Sequence, residues 1–442
     1  MSADGRSVKF ALGLFYPGGE HVSSWRLPTA RPEQFLEFGY YRDLAQTAER
    51  GGFTAIFLAD ELYVWDRFKS GVETTVNARL EPFTLLGALS QATEHIGLVA
   101  TLSTSYNEPY HVARTLASLD YLSGGRAGWN LVTSASDEEA RNFGRDTQFD
   151  HTLRYRRGGE FVDVVNALID SWDPDAVLAD KQTGIYSPRS KIHTIDHKGE
   201  FFQVRGPLNI ARPPQGHPVL FQAGASEDGK TLAAATADAV FTFSGPSLRS
   251  AQTVYADYKR RVDAAGRDPS SLVVMPMLAP VLGSTEAEAR RNCDEILELT
   301  PDQVALDLLS HRLGADLSDR DLDARFDFEF VDSASFNQSQ SAYDAIRKLV
   351  GGRDLTLREV YREHVAGGFV IGTPEQLADR IEERFNNAGA DGFVLMAPSL
   401  PSGLDAFVEH VVPELSRRGI YDVEYSGETL RENLVGRATV PA

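Results

Sequence analysis

The strongest constraint on the fold of this chain is a repeated alternation of short apolar runs with longer amphipathic stretches. Eight runs of strand length are apolar on both faces, as is typical of parallel strands covered by helices. They cover residues 8–15, 54–60, 96–104, 127–134, 218–224, 239–245, 272–283 and 392–398. Helical periodicity follows them at residues 39–52, 82–95, 109–125, 154–172, 226–239, 248–266, 285–299, 373–389 and 403–415. The pattern predicts an α/β protein, a (β/α)8 TIM barrel with insertions.

Three segments fall outside this repeat. Residues 61–81 form a long loop, and residues 187–207 read as a β-hairpin with HKGE (197–200) as its turn. Residues 300–370 form the largest insertion, before strand eight, and carry polar and small residues rather than a continuous core pattern. Because loops of this length are usually binding elements, we expect residues 300–370 to fold as a mobile lid. The whole chain, 1–442, is then a single domain with this lid inside it.

Composition narrows the class of protein. The net charge of −19 argues against binding to nucleic acid or to an anionic membrane surface, because binding to either would require basic patches on the protein. The single cysteine, Cys293, cannot form an intrachain disulfide and lies in a predicted helix, so we expect a structural residue and a cytoplasmic protein. No apolar run approaches the roughly 18 residues of a membrane span, and no secretion signal or metal site is evident.

Small polar residues stand at the carboxyl ends of five predicted strands, where TIM barrels bind their ligands. Helix capping explains each of them singly, but together they predict the wall of a polar pocket. They are Asp60; Ser103, Thr104 and Ser105; Asn130, Thr133 and Ser134; Gln222, Gly224 and Ser226; and Thr242 and Ser244. Phe57, Phe241 and Phe243 lie near the same ends and are candidates for an apolar lining, with core packing as the alternative.

Two of these positions carry specific hypotheses. Asn130 interrupts a buried strand, and its amide is either satisfied by backbone or points at a ligand. Ser226 opens a helix whose free N–H groups favour a phosphate, although it could serve only as the N-cap. Glu227 and Asp228 would repel a phosphate, so a basic group could come instead from the stretch DHTLRYRRGG (150–159).

Eight longer motifs stand along the chain. They are GEHVSSWRLP (19–28), FLAD (57–60), LSTSYNEPYHVAR (102–114), LSGGRAGWNLVTS (122–134), EEARNFG (138–144), RYRRGGEF (154–161), DHKGEFFQVRGPLN (196–209) and PVLFQAGAS (218–226). In these motifs the chain resembles the flavin-dependent monooxygenases of the bacterial luciferase-like superfamily, in the branch of nitrilotriacetate monooxygenase, EDTA monooxygenase, pristinamycin synthase A and dibenzothiophene sulfone monooxygenase. The motifs extend over most of the chain in the same order as in the family.

The resemblance implies an FMN site at the carboxyl ends of the strands. The residues at the family's FMN-contact positions are Asp60, Thr104, His151, Tyr155, Ala225 and Ser226, and Asn130 would hold the edge of the isoalloxazine ring. His21 and His311 match histidines implicated in the chemistry of the sulfone monooxygenases. The chain departs from the family pattern at Glu227–Asp228 and at Lys230, which puts the detail of phosphate binding in doubt.

The function that the resemblance implies is a two-component monooxygenase. Reduced FMN (FMNH2) would come from a separate NAD(P)H:flavin reductase, and O2 would oxidise a small organic substrate, with cleavage of a C–S or C–N bond. A homodimer or homotetramer is expected. Two alternatives stay open: a deazaflavin-F420-dependent oxidoreductase on the same barrel, and a non-catalytic flavin-binding protein.

Overall fold

The architecture is a closed barrel of eight parallel strands. The computed structural model describes residues 6–66, 71–330 and 340–436. The barrel strands are β1 (Lys9–Leu14), β2 (Ala55–Leu58), β3 (Gly97–Ser103), β4 (Ala127–Val132), β7 (Val219–Gln222), β8 (Ala239–Thr242), β9 (Val273–Leu278) and β12 (Gly392–Leu395). They follow the spatial order β1-β12-β9-β8-β7-β4-β3-β2, which confirms the predicted TIM barrel.

Helices surround this barrel. They are α1 (Phe38–Arg50), α2 (Gly71–Thr74), α3 (Pro82–Leu89), α4 (Pro109–Ser123), α5 (Asp137–Asn142), α6 (His151–Ile169), α7 (Glu227–Thr236), α8 (Leu248–Ala264), α9 (Glu286–Glu298), α10 (Asp302–Leu313), α11 (Gln340–Val350), α12 (Leu357–Ala366), α13 (Pro374–Asn386), α14 (Ser402–Ala406), α15 (Val412–Arg417) and α16 (Leu430–Val435). No helix within the described ranges is long and apolar enough to cross a membrane.

The amino ends of the strands are closed by α16, which the sequence pattern did not predict. Leu430 and Leu434 of this helix are buried against the side chains that fill the barrel interior. The strands leave room for the helix at glycines, since a Cβ on Gly97 would lie 2.3 Å from Cδ1 of Leu430. A ligand therefore enters the barrel from the carboxyl ends, where the polar residues were predicted.

Three predicted elements differ from the structure. The apolar run 272–283 splits into β9 and a separate β10 (Pro280–Leu282), which pairs with β11 (Val370–Gly372) outside the barrel. The stretch 403–415 is divided among α14, a π-helical turn (Phe407–Val411) and α15. Helix α6 begins at His151, three residues earlier than the prediction, because the side chain of Asp150 caps it.

The predicted hairpin is present, but its turn lies two residues further on. Its strands are β5 (His197–Lys198) and β6 (Gln203–Val204), so residues 199–202 make the turn. The reason is Glu160 of α6, whose carboxylate accepts hydrogen bonds from the backbone N–H groups of Phe201 and Phe202 at 3.0 and 2.9 Å. His197 pairs with the same carboxylate at 2.9 Å, which places that residue in the strand.

The insertion has a small core of its own, unlike the weak core pattern that the sequence indicated. Apolar side chains from α10 and α12 meet in it, among them Leu309, Leu313, Val360 and Tyr361. Residues 331–339, which include most of the stretch ASFNQSQSAYD (334–344), lie outside the described residues. That residues 300–370 act as a lid stays a prediction.

Candidate functional site

The carboxyl ends of β3 and β4 form one fixed polar rim. The hydroxyl of Ser134 donates to Oγ of Ser103 at 2.8 Å, and the hydroxyl of Ser105 donates to the carbonyl of Thr133 at 2.7 Å. Thr104 is buried between them, with its backbone N–H on the carbonyl of Val132. The short polar residues that ended the predicted strands therefore bond to one another and hold this part of the rim rigid.

Two of the predicted strand-end residues, Gln222 and Asn130, keep a buried amide oxygen without a hydrogen-bond partner among the described residues. Asn130 lies beside Phe221 of β7, whose ring fills the barrel interior, and its Nδ2 donates to Oγ1 of Thr101 at 2.9 Å. Its Oδ1 is buried and has no hydrogen-bond partner among the described residues. A buried acceptor left unpaired costs about 1–3 kcal/mol, so this oxygen is suited to accept a hydrogen bond from a bound ligand.

The beginning of α6 lies against the beginning of α7. Nδ1 of His151 is 3.2 Å from Oδ2 of Asp228, and the hydroxyl of Thr152 donates to the same oxygen at 3.1 Å. The rings of His151 and Tyr155 are 5.0 Å apart, as expected for residues four apart on one helical face. The structure thus brings His151 and Tyr155 together with the turn that carries Ala225 and Ser226.

That turn, between β7 and α7, leaves a cradle without side chains. Gly224 and Gly229 approach so closely that a Cβ on Gly224 would lie 2.7 Å from Cα of Gly229. A Cβ on Gly229 would lie 3.0 Å from Oη of Tyr155. Ser226 caps α7, since its Oγ accepts the N–H of Gly229 at 3.1 Å. The cradle has backbone N–H groups at a helix start and a phenol beside them, a donor set that fits a phosphate.

The two acidic residues that follow Ser226 have partners. Glu227 accepts a hydrogen bond from Nη2 of Arg261 at 2.6 Å and lies 3.6 Å from Nζ of Lys230. Asp228 accepts from α6, as described above. The expected repulsion of a phosphate by Glu227 is therefore reduced by two cations. Of the predicted basic residues, Arg154 bonds to the carbonyl of Ser134 and Arg157 stacks on Phe202 at 4.2 Å, so both support the scaffold.

Asp60 follows β2 on the same side of the barrel. Burial raises the pKa of its carboxyl to about 6, against the opposing effect of Arg79. The predicted cofactor residues thus follow or lie on β2, β3, β4 and β7, with His151 and Tyr155 on α6. These four strands are consecutive neighbours in the barrel, so the predicted residues line one continuous arc of its mouth.

His21 lies on the other side, between the loop after β1 and the insertion. Its Nδ1 accepts the backbone N–H of Ser23 at 3.3 Å, and its Nε2 is 3.2 Å from Oη of Tyr361, which donates to Oγ1 of Thr300 at 3.0 Å. Burial lowers the pKa of His21 to about 4. Both ring nitrogens are therefore engaged, and the ring stays neutral at pH 7.

His311 lies in the last turn of α10, half-buried, beside Arg312. Helix α10 shares a hydrophobic cluster with α12, and Tyr361 of α12 lies 3.2 Å from Nε2 of His21. The catalytic role of His21 and His311 stays a prediction.

Sequence reasoning missed Glu20. Its Oε2 is buried without a hydrogen-bond partner among the described residues, and burial raises the pKa of the carboxyl to about 8, against the opposing effect of Arg312. The signal was present, since an acidic residue stands directly before His21 in the loop after the first strand.

Aromatic rings fill the barrel interior near the carboxyl ends of its strands. Phe57 and Phe241 are buried, and the ring of Phe15 lies 6.3 Å from Phe57 and 5.8 Å from Phe241. Phe243 lies 5.4 Å from Phe241 but is 65% exposed. Phe57 and Phe241 therefore take the core-packing alternative, whereas Phe243 presents an apolar face to solvent at the end of β8.

Comparison with known proteins agrees with this geometry. The family model for luciferase-like monooxygenases matches residues 20–392. The chain is 44% identical to N-acetyl-S-(2-succino)cysteine monooxygenase of Bacillus subtilis (98% of this chain, 97% of that protein) and 44% identical to nitrilotriacetate monooxygenase component A of Aminobacter aminovorans (97% of each). A crystal structure of riboflavin lyase with modified FMN and riboflavin superposes with a TM-score of 0.85 at 32% identity, covering 98% of this chain and 96% of that one. The chain therefore belongs to the luciferase-like monooxygenase family and is a monooxygenase.

Proposed function

We propose that this protein is the oxygenase component of a two-component system that uses reduced FMN and O2 to oxidise a small organic substrate. The observation that carries the proposal is the buried Oδ1 of Asn130, which has no hydrogen-bond partner among the described residues although Thr101 holds the Nδ2 of the same amide. An isoalloxazine ring has an N–H group on its polar edge, which is the donor that this oxygen lacks.

The residues fit FMN at both of its ends. Asn130, fixed by its hydrogen bond to Thr101, would hold the edge of the ring, and Thr104 and Asp60 would border it on the neighbouring strands. The phosphate would bind at the cradle of Ala225 and Ser226, with Tyr155 and His151 beside it. The crystallised riboflavin lyase that superposes on this chain holds a modified FMN.

When bound, reduced FMN would supply the two electrons needed for O2 to place one oxygen atom on the substrate and the other in water. The chain's own contribution is to bind the ring at Asn130, to exclude water with the buried rings of Phe57 and Phe241, and to hold protons near the mouth at Asp60 and Glu20. Because both nitrogens of His21 are bonded, we propose that it positions α12, while His311 remains the candidate proton donor.

We expect a separate reductase because no dinucleotide-binding fingerprint accompanies the first strand of this chain. One curated relative is named as a component A, in keeping with a multicomponent system. We extend the same proposal to a cytoplasmic location, to a homodimer or homotetramer, and to cleavage of a C–S or C–N bond.

The test is reconstitution. The pure chain with FMN and NADH should consume no O2, whereas addition of an NADH:flavin reductase should give substrate-dependent oxygenation. Asn130→Ala should lose this turnover, while Asn142→Ala, at an exposed position of α5, should retain it. NADH oxidation by the chain alone would contradict the two-component scheme.

The two alternatives give different results in the same experiment. An F420-dependent oxidoreductase would turn over anaerobically with reduced F420 and ignore reduced FMN. A non-catalytic flavin-binding protein would bind FMN and form no product with any of the sulfones, aminopolycarboxylates or thioethers supplied.

A further inference from the structure

A cavity of about 330 Å³ lies beside the barrel, at the end opposite to the candidate cofactor site. Pro218 and Asp238 line it and stand directly before β7 and β8, so the cavity is at the amino ends of the strands. The predicted FMN residues follow the carboxyl ends instead. Leu116 of α4, Val162 of α6 and Arg431 of α16 form the other walls. The volume lies within the range of small-molecule sites, about 300–1,000 Å³.

The floor of this cavity is apolar and belongs to the layer between the barrel and its helices. Side chains alternate along a strand, so Leu220 points towards the helices where the next residue, Phe221, points into the barrel. Trp129 of β4 is in register with Leu220 and shares a hydrophobic cluster with Val162 and Val165 of α6. This floor is suited to the apolar body of a ligand.

The indole of Trp129 has a hydrogen-bond donor left over. The residue is 3% exposed and lines the cavity, and its Nε1 is buried without a hydrogen-bond partner among the described residues. Because an indole N–H can only donate, the group that satisfies it must be an acceptor. Asn166 of α6 lines the same cavity and carries an amide, which both donates and accepts. A buried donor without a partner is costly, so a ligand that supplies an acceptor removes that cost.

The charged residues at the opening of the cavity are paired with one another. Arg431 donates to both carboxylate oxygens of Asp238, at 2.7 and 2.9 Å. Arg212 donates to Asp170, whose Oδ1 also lies 2.9 Å from Nε2 of His217. Each arginine thus has a carboxylate partner already, and the net charge of −19 disfavours an anion. The opening therefore favours an uncharged ligand.

We propose that this cavity is a binding site for a small uncharged molecule that has an apolar body and a carbonyl oxygen. The carbonyl oxygen accepts the N–H of Trp129, and the apolar body packs on Leu220 and Val162. The amide of Asn166 meets a polar group beside the carbonyl. The site is separate from the one proposed for the cofactor and substrate, because it lies at the other end of the barrel strands.

Binding of benzamide, an uncharged amide of this class, tests the proposal. The chain has four tryptophans, so protein with isotopically labelled tryptophan gives four indole N–H signals, and Trp129→Phe identifies the signal of Trp129. Benzamide should shift this signal in a saturable manner, equally in the presence and absence of FMN. Benzoate and benzylamine carry a charge on the same ring and should bind at least about 5-fold more weakly, because burial of an unpaired charge is costly.

Two variants test the residues of the cavity. Trp129→Phe keeps an aromatic ring but removes the donor, and Asn166→Leu places an apolar side chain in the cavity from a half-buried position. Calorimetry should show benzamide binding weakened at least about 5-fold in each. Trp172→Phe is the matched control, because Nε1 of Trp172 already donates to the carbonyl of Leu208 at 2.8 Å. Its benzamide affinity should equal that of the wild type.

If Trp129→Phe does not fold, phenylalanine variants of the other three tryptophans identify the signal by elimination, and Asn166→Leu gives the binding result. A Trp129 signal that does not move at millimolar benzamide would overturn the proposal. Equal affinity for benzamide and benzoate, or an affinity in Asn166→Leu equal to that of Trp172→Phe, would also overturn it. Loss of benzamide binding when FMN is added would place the probe at the barrel mouth and refute a separate site.

Discussion

Replacing Asn130 and Thr101 by apolar residues of similar size should stabilise the protein without FMN and weaken FMN binding. Thr101→Val/Asn130→Leu removes both partners of the 2.9 Å hydrogen bond, so neither group is left unpaired. It also removes the unpaired Oδ1. Loss of the bond costs about 0.5–1.5 kcal/mol, and relief of the unpaired acceptor returns about 1–3 kcal/mol. The free energy of unfolding should therefore change by between about −0.5 and +2.5 kcal/mol, with a gain of about 1 kcal/mol at the middle of both ranges.

FMN binding should change in the opposite direction. Loss of a hydrogen bond to the ring is expected to cost about 1–3 kcal/mol, which corresponds to a roughly 5- to 150-fold higher dissociation constant. Urea unfolding of the flavin-free protein and fluorescence titration with FMN measure the two quantities. Thr101→Val alone keeps Oδ1 but leaves Nδ2 of Asn130 unpaired, so it should lose about 1–3 kcal/mol of stability and lose less FMN affinity than the double variant. A double variant that is destabilised by more than 2 kcal/mol and binds FMN normally would refute the assignment of Oδ1 to the cofactor.

Three further predictions concern stability. Ser226→Ala removes the cap on the N–H of Gly229 and should lower the free energy of unfolding by about 0.5–2 kcal/mol in urea while also weakening FMN binding; retained FMN affinity would leave Ser226 as a cap only. Burial lowers the pKa of His21 from about 6.5 to about 4, so the unfolded chain takes up a proton at higher pH than the folded chain does. The free energy of unfolding should therefore fall by up to about 3 kcal/mol between pH 6.5 and 4. His21→Gln should remove this part of the pH dependence, and an unchanged pH dependence would show that other groups cause it. Arg126 donates five hydrogen bonds at the amino ends of the barrel strands. Arg126→Lys should therefore lower the free energy of unfolding by about 2–5 kcal/mol, while the folded fraction keeps its FMN affinity. A loss of FMN affinity without a loss of stability would show coupling across the barrel.

The sequence alone determined the barrel and one arc of its mouth. Parallel strands buried on both faces need continuous apolar runs, and eight such runs with intervening helical periodicity admit few other architectures. Because every barrel strand exposes its carboxyl end at the same mouth, Asp60, Thr104, Asn130 and Ser226 could be placed together from their positions after those runs. The sequence left open whether α6 begins as early as His151, and in the structure the side chain of Asp150 caps the helix at that point.

Only the tertiary structure showed the environment of each polar group, because partners distant in sequence set its charge and leave particular donors or acceptors unpaired. The catalytic role of His21 stays a prediction, but only the fold shows that its Nε2 lies 3.2 Å from Oη of Tyr361, 340 residues away in the chain. The position of Glu20 beside His21 is visible in the sequence, but the raised pKa of its carboxyl arises from burial in the folded chain. Likewise, the choice in Asn130 between a satisfied core amide and a ligand contact depended on Thr101 of the neighbouring strand. Periodicity records which face of an element is buried, but not which hydrogen-bonding group it meets there.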